Sequence, residues 1–281
     1  MDSATLREQI ETQATLENGT RSIRLRQVHE LAAMCGCSIR EVELAALEAD
    51  VVPRRYLRNL GTVGPDGQAR LLRASVAVVG LGGLGGYVVE ALARTGVGRL
   101  ILIDGDSFED HNLNRQTLSA PIVLGTSKAH VAAQRVAQIN SAVEVTSHAV
   151  ALTRDNLPHL LEGAEVVVDG LDRLPIRLTL QDGAGAIGIP MVHGSIAGFM
   201  GQVMTIFPGD PGLHSLYGDP GDLPEQGLEV ELGNLAATAM LVAAWEAQEV
   251  IKILLDRGTL LRHRLLVIDM ESGTCDILRL G

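Results

Sequence analysis

The sequence predicts an α/β fold on a mostly parallel sheet, and three observations predict it. Strand-like apolar runs alternate with helical stretches from residue 75, a glycine-rich turn joins the first strand to the first helix, and two short C-terminal strands break the alternation. Residues 75–80 (Ser-Val-Ala-Val-Val-Gly) have the uninterrupted apolar character of a strand covered on both faces. A helix over 84–95 and a strand over 99–104 follow. Helix 127–139, strands 143–149 and 165–169, helix 174–187 and strand 190–195 continue the pattern. Residues 199–207 read as a further strand, 234–255 as a long buried helix, and 265–269 with 274–278 as a closing hairpin around Glu-Ser-Gly. Residues 208–227 hold nine Gly or Pro in twenty positions, which predicts a mobile crossover loop with no regular element.

Before residue 60 the patterns are helical only. Ser38 and Glu41 stand at capping-box spacing and start a helix that runs to about Ala49. Ala32, Gly36 and Val42 fit a helix-turn-helix spacing, which reads either as a DNA-binding element or as a helical hairpin packed on the main domain. The division is a helical extension over 1–53 and a main domain over 54–281. That matches a length of 281 residues, large for a single core.

Composition narrows the function classes. Hydrophobic residues are 46% and aromatics 2%, so the core is aliphatic and a base-stacking platform is disfavoured. Lys+Arg 23 against Asp+Glu 34 give a net charge of −11, which disfavours nucleic acid and anionic membranes as partners. The start has neither a basic region nor an apolar core of a signal peptide, and the apolar run 235–244 meets Glu246 and Glu249 too soon for a membrane span, which points to the cytoplasm. Cys35, Cys37 and Cys275 form neither a disulfide framework nor a C-x-x-C zinc pair, and Cys35 and Cys37 read as small apolar residues.

Gly80-Leu-Gly82-Gly83-Leu-Gly85 follows a strand and opens a helix, the Rossmann-like context in which backbone N–H groups approach a phosphate chain. Asp104 ends the next strand 19 residues later, where an acid can bond ribose hydroxyls. This much fits a redox dinucleotide or ATP equally. Further on stand Asp104-Gly-Asp106, then Asn112-Leu-Asn114-Arg115-Gln116, then Gly125-Thr-Ser-Lys128, then Asp169-Gly-Leu-Asp172. In that order they resemble the GxGGxG, D-x-D, N-x-x-R-Q, G-x-x-K and D-x-x-D series of the ThiF/MoeB/HesA family of ubiquitin-activating-like adenylyltransferases. Arg55-Tyr56-Leu57-Arg58-Asn59 resembles the R-Y-x-R-Q segment with which these proteins begin.

The resemblance implies a nucleotidyltransferase with ATP and Mg²⁺ as cofactors. It would adenylylate the C-terminal Gly-Gly carboxylate of a small ubiquitin-like sulfur carrier protein and release pyrophosphate. Gly80, Gly82, Gly83, Gly85, Asp104, Asp106 and Asn112 would bind nucleotide; Arg115 and Lys128 would hold phosphate charge; Asp172 would associate with Mg²⁺. Arg58 would act in trans in a homodimer. Each has a plainer reading: Lys128 as a solvated lysine, Arg115 bonding loop carbonyls, Arg58 in an ordinary salt bridge, Asp172 as a helix N-cap before Leu174-Pro175. Zinc-binding relatives carry C-x-x-C pairs in the crossover loop and at the C-terminus; here the loop reads Gly212-Leu-His-Ser215 and the chain stops at Leu280-Gly281, so no zinc is expected. The loop cysteine that some members use covalently would fall near Glu229 and is absent. A tRNA threonylcarbamoyladenosine dehydratase-like enzyme and a non-catalytic nucleotide- or carrier-binding subunit are the alternatives. An NAD-dependent dehydrogenase has no use for the Asn112 to Gln116 segment.

Overall fold

A computed structural model of the protein describes residues 3–17, 19–218 and 227–280. The N-terminal region holds α1 (Ser3–Gln13), β1 (Thr15–Glu17), β2 (Thr20–Ile23), α2 (Leu25–Cys35), α3 (Ile39–Glu48) and β3 (Val52–Pro53). The expectation of helices alone is corrected here. β1 and β2 pair antiparallel, with Gly19 at φ +78° between them, and β2 pairs parallel with β3. Strands this short carry too little periodicity to register beside three helices.

The helical hairpin forms as its spacing predicts. Gly36 ends α2 in the left-handed region, and Ser38 caps α3 through Glu41 N–H at 3.2 Å while Glu41 Oε2 accepts the Ser38 N–H at 2.7 Å. α3 is committed to packing and not free for a groove. Val42 and Ala46 join a core with Ile10, Ile23, Val28 and Leu31, and Arg40 pairs with Glu144 at 2.9 Å. Cys35 and Cys37 flank the Gly36 cap, and burial pushes the Cys37 thiol up.

The main body follows as α4 (Leu60–Arg73), β4 (Ser75–Val79), α5 (Gly83–Thr95), β5 (Arg99–Ile103), α6 (Lys128–Ile139), β6 (Glu144–His148), α7 (Leu157–Leu160), β7 (Val166–Asp169), α8 (Leu174–Ala186), β8 (Met191–Ala197), β9 (Met200–Ile206), α9 (His214–Tyr217), α10 (Glu229–Leu232), α11 (Ala236–Leu255), β10 (Arg264–Asp269) and β11 (Thr274–Arg279). The eight-stranded sheet runs β11-β10-β9-β8-β7-β4-β5-β6. β8, β7, β4, β5 and β6 are parallel, whereas β9, β10 and β11 pair antiparallel. The two-residue period divides the core: Val76, Val78, Leu100 and Leu102 pack on the face covered by α5, α6 and α11, and Ala77, Val79, Ile101 and Ile103 on the other. Among the largest fully buried side chains only Tyr56 and Phe108 are aromatic, as the composition requires. Among the described residues, no helix is long and apolar enough to cross a membrane.

The crossover segment differs from expectation. α9 forms one helical turn inside it, because Leu213 is buried and its N–H donates to Gln181 Oε1 at 2.7 Å. The remainder of the expected loop, residues 219–226, lies outside the described residues.

A buried polar seam joins the N-terminal region to the main body. Tyr56 donates to Glu43 Oε2 at 2.9 Å and accepts from Asn140 Nδ2 at 3.0 Å, and Arg55 lies beside both Glu43 and Asn140. Burial raises the Glu43 carboxyl above its ordinary range, and Arg55 and the Tyr56 hydroxyl pull it back. Tyr56→Phe removes a partner from a buried carboxyl and is expected to cost about 1–3 kcal/mol, read as the shift in urea unfolding free energy.

Candidate functional site

β4, β5 and β6 run in order to one edge, and the chain then returns to place β7 on the other side of β4. The loops after β4 and β7 therefore diverge and leave a crevice at their carboxyl ends, the topological switch point at which open α/β sheets bind ligands. The cleft there measures about 790 Å³, in the range of nucleotide and cofactor sites.

Its floor is set by backbone contact. Gly80 has φ +84°, and a Cβ on it would stand 2.5 Å from the Gly170 carbonyl oxygen; a Cβ on Gly85 would collide with the Gly80 carbonyl. Gly80 and Gly85 thus let the turn after β4 lie against the exit of β7. Gly82 is the N-cap of α5, and Gly82 and Gly83 border the cleft. The unsatisfied N–H groups of the first turn of α5 carry partial positive charge there. Gly85 is buried beneath the turn and does not line the cleft; its role is packing.

Asp104, almost fully buried, accepts the Leu81 N–H at 2.7 Å and the Asp106 N–H at 2.8 Å. Burial raises its carboxyl, while Lys128 and the two N–H groups oppose the rise. It faces the cleft and also organises the glycine turn. Lys128 opens α6, is 7% exposed and pairs with Asp106 at 2.9 Å, so it is not a solvated surface lysine. Arg115 lines the cleft, and its Nη1 donates to the His111 carbonyl at 3.0 Å and to Asn114 Oδ1 at 2.8 Å. The plainer loop-carbonyl role is therefore real, and the guanidinium still borders the cleft.

Asp172 stands exposed on the rim and makes no side-chain hydrogen bond or ion pair among the described residues. The N-cap position of α8 belongs to Arg173, so Asp172 does not cap that helix and its carboxylate is left to the cleft. Among the described residues there is no group of three or more His, Cys, Asp or Glu able to hold a metal alone. A single carboxylate on the rim of a cleft bordered by a helix N-terminus would suit Mg²⁺, which commonly takes one or two protein carboxylates with phosphate oxygens and water.

Two expected residues lie elsewhere. Asn112 is buried, and its Oδ1 accepts the Glu109 N–H at 3.0 Å; it shapes the 3₁₀ turn Asp110–Asn112 instead of facing the cleft. Its neighbour Gln116, not assigned from the sequence, lines the cleft, and its side chain lies 3.4 Å from where a Gly82 Cβ would be. Arg58 is exposed beside the turn Arg54–Tyr56, outside this chain's cleft and without a side-chain partner among the described residues. Sequence reasoning also missed a wall at Val150, Ala151 and Leu152 and the buried Arg177 behind Asp172. Only Arg177 had a local signal, three residues into a helix that follows a D-x-x-D.

These features define an α/β protein with a cleft at the switch point of its sheet, bordered by the glycine turn and the first turn of α5. The chain belongs to the ThiF family, whose profile matches residues 56–281. It is 40% identical over 225 residues to the SAMP-activating enzyme E1 of Haloferax volcanii, across 78% of this chain and 82% of that protein. It is 38% identical over 228 residues to the sulfur carrier protein adenylyltransferase of Thermus thermophilus, across 76% and 82%. A crystal structure of E. coli MccB with MccA-N7isoASN superposes with a TM-score of 0.71 at 23% identity, covering 81% of this chain and 72% of that one, a likeness of fold.

Gly85→Ala is expected to destabilise by about 3 kcal/mol or more, because the added methyl must displace backbone rather than a side chain. Chemical denaturation beside Gly61→Ala, where a Cβ would meet nothing within 4 Å, checks this.

Proposed function

We propose that the protein is an ATP-dependent adenylyltransferase that activates the C-terminal Gly-Gly carboxylate of a small ubiquitin-like sulfur carrier protein. One observation carries the reading: buried Lys128, cleft-facing Arg115 and unengaged Asp172 line the same cleft as the glycine turn that opens α5. That set suits a polyphosphate. The names of the two relatives above support the substrate class.

In this reading the glycine turn cradles the phosphates and Asp104 faces the ribose. The carrier carboxylate attacks the α-phosphorus, its O–P bond forms as the bond to the bridging oxygen breaks, and pyrophosphate leaves. The nucleophile is already ionised at neutral pH, so no general base is needed. Lys128 and Arg115 offset the charge that builds on the phosphate oxygens. Lys128 reaches them by exchanging its exposed partner Asp106 for phosphate, which its low-dielectric seat favours. Asp172 would hold a Mg²⁺, which supplies further charge neutralisation. Arg58 lies outside its own cleft, which is consistent with action in a partner's site in a homodimer.

Isotope exchange between pyrophosphate and ATP, dependent on a carrier ending in Gly-Gly, tests the reaction. Lys128→Ala and Asp172→Ala are each expected to lower exchange by about 10²-fold or more. Full activity in either removes that residue from the site, and exchange stimulated by tRNA in place of a carrier overturns the substrate class. Mixing Arg58→Ala with Lys128→Ala protomers is expected to restore part of the exchange that each has lost.

A further inference from the structure

Behind the cleft lies a buried charged cluster that the proposed chemistry does not use. Asp169, at the end of β7, is fully buried; His193 Nδ1 from β8 lies 2.7 Å from its Oδ2 and Arg177 Nη1 from α8 lies 3.7 Å from it. Arg177 donates to the Gly194 carbonyl at 3.0 Å and to the Leu171 carbonyl. It therefore joins the middle of β8 to the loop that presents Asp172, one residue beyond Leu171. From the opposite face of the sheet, α11 supplies Glu246, also fully buried. Neither of its carboxyl oxygens has a hydrogen-bond partner among the described residues, and a Cβ on Gly194 would stand 2.5 Å from its Cδ. The carboxyl thus fills the space that a side chain at Gly194 would take.

We propose that Glu246, in its uncharged form, is a positioning residue that wedges α11 against Gly194 and keeps Arg177 on the Leu171 and Gly194 carbonyls, so that the loop carrying Asp172 is held in place. The charge balance of the cluster requires the proton. Asp169 and Arg177 cancel, and burial together with Arg177 keeps His193 neutral although Asp169 opposes this. Ionised Glu246 would add a second negative charge with no donor to receive it. Burial first, and then Asp169, raise the Glu246 carboxyl well above its ordinary range; Arg177 alone opposes them. On its own helix Glu249 is engaged by Thr205, the Leu261 N–H and Lys252, and the buried face of α5 carries no titratable group. Because the folded state binds this proton more tightly than the unfolded chain, the stability it contributes is complete below the ordinary value of 4.5 and is withdrawn as pH rises towards the folded-state value.

This inference rests on the adenylyltransferase reading only for the use made of Asp172, so the test begins without nucleotide. Hydrogen exchange of peptides spanning 170–178 is measured in the full-length protein from about pH 6 to about pH 9 and corrected for intrinsic base catalysis. The wild type is expected to lose about tenfold protection across that range, while Glu246→Gln, locked uncharged, stays level with the acid-end wild type. Gly194→Ala, which presses on the carboxyl, is expected to lose protection at every pH. Equal pH profiles for wild type and Glu246→Gln, or undiminished protection in Gly194→Ala, overturn the proposal. The same titration with a fluorescent ATP analogue and Mg²⁺ is expected to show the analogue's Kd rising about tenfold with pH in the wild type alone. Absence of binding at every pH, with the exchange result as expected, overturns the nucleotide reading and leaves the positioning role standing.

Discussion

The rest of the site depends on the contact between the Gly80 carbonyl and the backbones of Gly85 and Gly170. A Cβ on Gly85 or Gly170 would run into that oxygen, and a Cβ on Gly80 would run into Gly170. With hydrogen at all three positions, the turn after β4 lies against the exit of β7, and the first turn of α5, with its partial positive charge, borders the crevice. The strand ends are locked to match: the Gly80 N–H donates to the Ile103 carbonyl and the Gly170 N–H to the Val79 carbonyl, each at 2.8 Å. The cleft is thus a consequence of how closely two backbones can pass, and the charged side chains decorate a geometry already determined.

Those side chains explain how a chain of net charge −11 can present a site for an anion. Lys128 is buried while its partner Asp106 is largely solvated, with side-chain exposures of 9% and 73%. The desolvated ammonium interacts strongly with whatever anion sits beside it, and the solvated carboxylate can leave at little cost. Asp104 adds negative charge nearby, but its oxygens are already committed to the Leu81 and Asp106 N–H groups. Local burial, not the total charge, decides which groups a polyphosphate would meet.

What could be read from the sequence follows the range of the interactions. The strands and helices from residue 75 onwards rest on local periodicity, and Gly80 through Gly85, Asp104, Arg115 and Lys128 rest on short motifs adjoining those elements; both kinds of signal survive folding. Asn112 and Gln116 show the limit. Their motif placed both near the site, but only the turn Asp110–Asn112 decides that Asn112 points inward and Gln116 faces the cleft. In the small sheet β2 pairs with β3 about thirty positions away through a two-residue strand, and the β1-β2 hairpin, though local, is built from strands of three and four residues, too short to show a period. The cluster of Asp169, Arg177, His193 and Glu246 draws on four elements and both faces of the sheet, so in the sequence Glu246 and Glu249 read only as charges that end an apolar run.

α8 brings these parts into one mechanical unit. It begins directly after Asp172, carries Arg177 in its first turn, and further along presents Gln181 and Asp182 to the crossover segment. Gln181 bonds the Pro211 carbonyl at 3.1 Å and the Leu213 N–H at 2.7 Å, and Asp182 pairs with His214 at 2.8 Å. α9 in turn brings Tyr217 to the cleft, where its hydroxyl accepts from Gln202 Nε2 at 2.7 Å. The same helix therefore positions the rim carboxylate at its start and the base of the crossover segment about two turns later. The cleft rim and the base of the crossover segment are thus packed on one helix, so a shift of that helix would be felt at both.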